Sequence, residues 1–378
     1  MKIAVLGAGK VGSAIAKDLA QEAAFSVTVI DFDQRALDRL KAEARLSCLQ
    51  SDLRKRENIS QLVSEVDIVV CAVPGFMGFE TLKQIIEAGK DVVDISFFAE
   101  DPFLLDELAK SKGVTVVVDC GVAPGLCNIL AGYVFDQFDQ TDRYACYVGG
   151  LPQLRLKPFE YKVVFSLPDV LEEYTRPARL VENGREVVRP ALSEVELMDF
   201  PGVGTLEAFN ADGLRSMRNT LNIPFMVEKT LRYPGHAGLM RIFRESRFFD
   251  TSPIEVEGQM VSPLALTAKL LSDQWRLAEG ETDFTVMEVV LEGQKNGKRL
   301  RHSYYLLDSF DSETQTTSMA RTTGYTCSIV VRQLLRKLFT QKGICPPEFL
   351  GRTKGCYEDL LAGYEKRNIR IKETILEL

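Results

Sequence analysis

The chain has 378 residues, long enough for two domains with cores of their own, and its 46% hydrophobic and 26% charged content is that of an ordinary globular protein. The formal charge is −7, so no basic footprint for nucleic acid is present. No apolar run approaches the roughly 18–20 residues of a membrane span, so neither nucleic acid nor a membrane is expected as a partner.

The first element is an apolar strand, Ile3–Leu6, running into Gly7-Ala8-Gly9-Lys10-Val11-Gly12. Val11, Ile15 and Leu19 then recur on one face of a helix. A second strand, "SVTVI", ends at Asp31, in the place where a dinucleotide-binding unit carries its ribose carboxylate. Gly7 permits the tight turn, Gly9 lets backbone approach a pyrophosphate, and Gly12 lets helix and strand pack closely. The helix N-terminus, opened by Lys10 and Val11, offers free N–H groups to phosphate. Asp31 can accept hydrogen bonds from both ribose hydroxyls and repels a 2′-phosphate, which favours NAD over NADP. Arg35, which could reach a 2′-phosphate, argues the other way.

The alternation continues. "RLSCLQSD" is a third strand with Asp52 and Leu53 at its end, at the adenine side. "VDIVVCAVPG" is a fourth, ending at Val73-Pro74; "KDVVDIS" is a fifth and "VTVVVDCG" a sixth, with helical stretches between them. Strict alternation predicts a doubly wound parallel (Rossmann) α/β sheet. Ligands bind such sheets beyond the C-terminal strand ends, which places Val73, Pro74, Ser96, Phe97 and the segment after Cys120 around the nicotinamide.

From about residue 123 the pattern changes. "GLCNILAGYVFDQF" reads as a helix, "RYACYVGG" as a strand, and "FEYKVVFSL" as another strand from its alternation of Tyr161, Val163 and Phe165. Asn183-Gly184 and Asn296-Gly297 mark hairpins. "SPLALTAKLLSDQW" is a helix, and "SMARTTGYTCSIVVRQLLRKL" a long one that returns to the first domain. The expected organisation is a dinucleotide-binding domain of residues 1–122 and 318–378. An inserted α+β domain of residues 123–317, on a largely antiparallel sheet, would leave a cleft for a small substrate.

Candidate site residues lie at two Gly turns in the inserted domain. "GTLEAFNADGLRSM" holds Asn210, Asp212 and Arg215, and "KTLRYPGH" holds Thr230, Arg232 and His236. An arginine fork can hold a carboxylate, and a histidine can move a proton near neutral pH; a structural ion pair and a structural hydrogen bond are the alternatives. His302 alternates with Leu300 and Tyr304 and reads as structural. The eight scattered cysteines read as buried thiols of a reducing cytoplasm, Cys120 and Cys127 as packing residues, and with two distant histidines no metal site is expected. A strand within two residues of Met1 leaves no leader in view, so a cytoplasmic location is expected.

Taken together, "GAGKVG", "VDCGVAPGLCNILAG", "YVGGLP", "EEYTRPARLVENG", "GTLEAFNADGLRSM", "KTLRYPGH" and "MARTTGY" resemble the saccharopine dehydrogenase-like family, with the nearest likeness to its L-lysine 6-dehydrogenases. The resemblance implies a homodimer and an NAD-linked reaction at a lysine-type ε-amine. Gly7, Gly9, Gly12 and Asp31 match the cofactor loop, and Val73 and Pro74 the nicotinamide-side strand end. Substrate-contacting segments fall on Ser96-Phe97 and on Ala123-Pro124-Gly125. The tyrosine and aspartate that saccharopine reductases carry there are missing, which counts against saccharopine. Arg215, and Thr230 with Arg232, fall on the substrate-carboxylate loops, with His236 as the proton-transfer residue. Asp119, Asp212 and Glu207 are candidates to meet the substrate ammonium, Asp119 being grouped with His236 as catalytic.

The expected reaction is oxidative deamination of the lysine side chain by NAD, with imine hydrolysis and release of ammonia. Two alternatives stand beside it. One is an enzyme of the same architecture that joins or splits a secondary amine such as saccharopine or a polyamine precursor. The other is an NAD-binding sensor or assembly protein without turnover.

Overall fold

The apolar runs of the first third are short and unbroken, which suits strands covered on both faces. In the computed structural model, which describes residues 1–43 and 45–378, they form β1 (Lys2–Leu6), β2 (Ser26–Asp31), β3 (Ser47–Gln50), β4 (Ile68–Cys71), β5 (Asp91–Asp94) and β6 (Thr115–Val117). Between and after them run α1 (Lys10–Leu19), α2 (Gln34–Glu43), α3 (Arg56–Leu62), α4 (Gly75–Glu87), α5 (Asp106–Lys112) and α6 (Leu126–Phe135).

The next stretch comprises β7 (Gln140–Pro152), α7 (Leu167–Thr175), β8 (Ala178–Glu182), β9 (Arg185–Arg189), β10 (Glu196–Phe200), β11 (Gly204–Asn210), α8 (Met217–Thr220), β12 (Phe225–Arg232) and α9 (His236–Glu245). It continues through β13 (Ile254–Val256), β14 (Gln259–Val261), α10 (Pro263–Trp275), β15 (Asp283–Lys295) and β16 (Lys298–Ser309). The chain ends with α11 (Ser318–Leu335), β17 (Gly343–Cys345), α12 (Pro347–Gly351), α13 (Cys356–Glu365) and β18 (Ile371–Glu377).

Two compact units result: Met1–Gln137 with Ala320–Arg370, and Phe138–Met319 with Ile371–Leu378. The first is built on a parallel sheet of order β17-β6-β5-β4-β1-β2-β3, so the chain reverses direction across the sheet beside β1 and β4. All four residues of β4 are buried, as a strand covered on both faces requires. The seventh strand, β17, escapes sequence reading because "GIC" is too short to show periodicity. Within this unit α11 returns to α1, where the buried carboxylate of Asp18 accepts from Arg332, Arg367 and Ser328.

The second unit is built on a nine-stranded sheet with β10-β11-β12-β7-β15-β16-β18 as its main path and the β8–β9 hairpin attached to β12. The pairing is antiparallel except between β12 and β7. Both Asn-Gly hairpins form, with Asn183, Gly184, Asn296 and Gly297 all at positive φ, as a primed two-residue turn demands.

Three expectations differ from what is found. The segment 159–166 is irregular, with an isolated bridge between Val163 and Arg276, so "FEYKVVFSL" is not a strand. Its alternation has another cause: Tyr161 and Val163 fill an aromatic core with Tyr174, Phe209 and Trp275. The helix at Leu126–Phe135 stays with the first unit, beyond the expected boundary at residue 122. The C-terminal segment, expected with the first unit, is instead the edge strand of the second sheet, paired to β16. Among the described residues, no helix is long and apolar enough to cross a membrane.

Candidate active site and nucleotide cradle

The glycine turn after β1 is shaped by its neighbours. Gly7 has φ +110°, and a Cβ there or at Gly12 would clash with backbone, of Ala72 and of Gly7 respectively. Gly9 differs: a Cβ there would meet nothing within 4 Å, so the space above it is open. Gly9 is the N-cap of α1 and gives it no side-chain cap, which suits the approach of an anion to the helix N-terminus. Lys10 and Val11 open that helix, with Lys10 exposed.

Asp31 closes the cradle. Its Oδ2 accepts from the Ala8 N–H at 2.6 Å and its Oδ1 from the Asp33 N–H at 2.8 Å. The carboxylate is thereby fixed against the glycine turn, and each oxygen keeps a lone pair for a ribose hydroxyl. On the adenine side, Asp52 takes the Arg54 guanidinium in a fork at 2.8 and 2.9 Å, which holds its carboxyl down at about 2. Arg54 also lies 5.8 Å from the ring centre of the exposed Phe32, and Leu53 is buried beside them in the sequence. A dinucleotide fits these residues: an open approach at Gly9, an uncapped helix end, and an anchored carboxylate at the end of β2.

At the other strand ends, Val73 is buried and Pro74 is the exposed N-cap of α4. Ser96 is 2% exposed, and its Oγ donates to Asp94 Oδ1 at 2.5 Å. Asp94 is fully buried, and its Oδ2 has no hydrogen-bond partner among the described residues. Burial pushes its carboxyl up to about 7, against the lowering effect of the Ser96 and Cys71 hydrogen bonds. Asp119 is buried with a left-handed backbone, φ 52°. Phe97, Ala123 and Pro124 are half-buried; the last two precede Gly125, whose N–H donates to Asn128 Oδ1 at 2.9 Å. Cys120 and Cys127 are buried free thiols.

In the second unit, Arg232 at the end of β12 and His236 at the start of α9 come together, both 2% exposed. Arg232 donates to Glu173 Oε2 at 2.6 Å, to the Tyr174 hydroxyl at 3.3 Å and to the Tyr161 hydroxyl at 3.5 Å, and its guanidinium carbon lies 4.6 Å from the Tyr161 ring centre. Burial works against its charge, but Tyr161, Tyr174 and Glu173 more than offset that and raise its pKa.

His236 uses both ring nitrogens, Nδ1 3.0 Å from the Phe159 carbonyl and Nε2 2.9 Å from the Tyr174 hydroxyl. A carbonyl only accepts, so Nδ1 carries the proton and Nε2 accepts from Tyr174 O–H. Tyr174 oxygen in turn accepts from Arg232. Burial, with the nearby Arg232 charge, lowers His236 to about 3.

The two other carboxylate candidates are already engaged. Asp212 accepts from Arg179 three times, from its backbone N–H at 3.1 Å and its guanidinium at 2.8 and 2.5 Å. Glu207 accepts from the N–H groups of Gly235 and Ala237 and so caps α9. Asn210 donates to Ser193 and Glu194, Thr230 is buried in β12, and Arg215 is buried with φ 49°. Sequence reading missed Glu173, Tyr174 and Asp94. The first two lie within "EEYTRPARLVENG", which carries the family resemblance without singling either out, and Asp94 lies within the fifth strand, "KDVVDIS".

Comparison with known proteins places these features in a family. Residues 3–117 match the model described as saccharopine dehydrogenase NADP binding domain, and residues 121–369 match the saccharopine dehydrogenase C-terminal domain. The mitochondrial alpha-aminoadipic semialdehyde synthase of Bos taurus is 26% identical over 251 residues, 62% of this chain and 27% of that protein, so the chain spans about a quarter of that relative's length. Carboxynorspermidine synthase of Vibrio alginolyticus is 22% identical and aligned over 91% of both chains. Saccharopine dehydrogenase [NADP(+), L-glutamate-forming] of Schizosaccharomyces pombe is 22% identical over 86% of this chain and 88% of its own. The structure of apo saccharopine dehydrogenase (L-Glu forming) from Saccharomyces cerevisiae has the same fold, with a TM-score of 0.80 and 16% identity over 99% of both chains.

Proposed function

The chain belongs to the saccharopine dehydrogenase family, and from that premise we propose that it is an NAD-dependent oxidoreductase that deaminates a side-chain amine, that of L-lysine at its ε-carbon. The observation that carries the amino-acid reading is the buried guanidinium of Arg232, already bound to a carboxylate, that of Glu173, at 2.6 Å. A substrate α-carboxylate would share or take that place, with Arg215 in support. Asp31, anchored by two backbone N–H groups, supports NAD over NADP, although the family model is described by its NADP binding.

The nucleotide, when bound, supplies the hydride acceptor. Gly7, Gly9, Gly12, Lys10 and Val11 would hold its pyrophosphate, Asp31 its ribose, and the strand ends at Val73 and Pro74 its nicotinamide. The protein's own work is to orient the amine, exclude water and remove one proton from the ammonium. Only the neutral amine can release hydride from its carbon, because the nitrogen lone pair must form the new C–N double bond. Water then adds to the imine, and ammonia leaves. Both ring nitrogens of His236 are engaged, Nδ1 by the Phe159 carbonyl and Nε2 by the Tyr174 hydroxyl, so its part is to fix that hydroxyl and, through it, Arg232. Assembly as a homodimer belongs to the same proposal.

The test is turnover by the purified protein with NAD or NADP across L-lysine, saccharopine, carboxynorspermidine and simple diamines. The proposal expects reduced nucleotide with L-lysine and NAD. Turnover confined to a secondary amine would move the enzyme to the saccharopine or polyamine reaction, and nucleotide binding without turnover of any amine would make it a sensor.

A further inference from the structure

We infer that Asp94 is the resting place of the proton that the substrate ammonium gives up, with the Ser96 hydroxyl as the bridge between them. The inference rests on the amine-oxidation reading above, and it arises within the first unit alone. Asp94 is the last residue of β5, at the C-terminal strand ends where ligands of parallel sheets bind. One of its oxygens is taken by Ser96 and the other has no hydrogen-bond partner among the described residues.

The titratable groups that face it are Cys71 on β4, Asp119 and Cys120 after β6, and Cys327 on α11, and none of these is a cation. A structural buried carboxylate is ordinarily given a positive partner or several donors. Asp18 in the same unit shows that arrangement, with two arginines and a serine. Asp94 has no cation beside it among the described residues, only the hydroxyl and backbone N–H of Ser96 and the Cys71 thiol, and burial outweighs these and raises it to about 7, where a carboxyl can both take and release a proton.

Ser96 is the natural bridge. Its single proton points at Asp94 and the Cys71 thiol lies 4.0 Å from the same oxygen, which leaves it one lone pair to accept from an N–H donor. Gly78 of α4 keeps this rotamer open, since a Cβ there would clash with Ser96 Oγ. In the step proposed, an N–H bond of the ammonium breaks and its proton passes to Ser96 Oγ. The serine's own proton passes at the same time to Asp94 Oδ1. Serine is unchanged, Asp94 becomes the neutral acid, the amine gains its lone pair, and no electrons change hands.

Two measurements on the full chain test this. Infrared difference spectra across pH, wild type against Asp94→Asn, should show a protonated-carboxyl band that fades with a midpoint near 7 and is missing from the variant. The pH profile of kcat with L-lysine and NAD should lose its acid limb in Asp94→Asn and in Ser96→Ala. The rate in both should fall on the order of 100-fold, with NAD affinity unchanged.

A band absent at every pH in an enzyme that oxidises lysine overturns the inference alone. So does a loss of rate with the pH profile intact, or a loss confined to nucleotide affinity, which would assign Ser96 to the cofactor's carboxamide. A titrating band with no amine oxidised would sink the amine reading and this role together. Ser96→Ala removes only a hydroxyl, so it carries the test if the Asn variant does not fold.

Discussion

The hydroxyl of Tyr174 lies 2.9 Å from Nε2 of His236 and joins the imidazole to the Arg232 guanidinium. Because the hydroxyl gives its proton to His236 and accepts from Arg232, one atom sets both the tautomer of the ring and the pose of the guanidinium. Tyr174→Phe would leave a buried acceptor and a buried charged donor short of a partner. A loss of about 1–3 kcal/mol of stability is expected, read from denaturant midpoints, together with a raised KM for the amino acid. A variant as stable as wild type with unchanged KM would show the hydroxyl to be idle.

His236 makes stability depend on pH. Its folded-state value is about 3 against an ordinary 6.5, so between those values the unfolded chain binds a proton that the folded chain refuses. Its contribution is therefore complete above about 6.5 and is lost as pH falls toward 3, at up to about 1.4 kcal/mol per pH unit. Asp94, raised from 3.8 to about 7, works in the opposite sense: the folded chain holds the extra proton, and stability declines as pH rises through that window. Chemical denaturation across pH should show a shallower acid-side loss in His236→Asn and a shallower loss toward neutrality in Asp94→Asn. Curves parallel to wild type would contradict both assignments.

The two helix-turn glycines should respond differently to alanine. At Gly12 an added Cβ would clash with the Gly7 backbone, so Gly12→Ala should destabilise the fold. At Gly9 the space is open, so Gly9→Ala should leave thermal stability unchanged while weakening nucleotide binding, as calorimetry would show. Equal binding in Gly9→Ala and wild type would mean that no phosphate approaches there.

Much of this was legible in the sequence, for identifiable reasons. The glycine turn, Asp31 and the alternating strands carry local signals that need no tertiary context, and the Asn-Gly hairpins are dictated by backbone sterics alone. The misread stretch at Tyr161 and Val163 shows the limit: period-two alternation also arises when an irregular segment feeds two side chains into an aromatic core. The pairings of Arg232 with Glu173 and of Asp212 with Arg179 join residues distant in the chain, and no spacing announces them. Asp94 was hidden for the same reason, since what distinguishes it is that no cation stands beside it among the described residues.

Asp31 should govern nucleotide choice. Asp31→Ser would remove the charge that disfavours a 2′-phosphate and the acceptors for two ribose hydroxyls. NAD use, as kcat/KM, should fall on the order of 10- to 100-fold while NADP use holds or rises. An unchanged ratio between the two nucleotides would place the ribose elsewhere.

In the proposed reaction, hydride leaves the ε-carbon of lysine and ammonia follows. L-lysine deuterated at that carbon, incubated with NAD and the purified protein, tests it most directly. Deuterium should appear on the reduced nicotinamide, with ammonia released in equal amount. Reduced nucleotide free of deuterium, or no reduction of NAD by lysine at all, would contradict it.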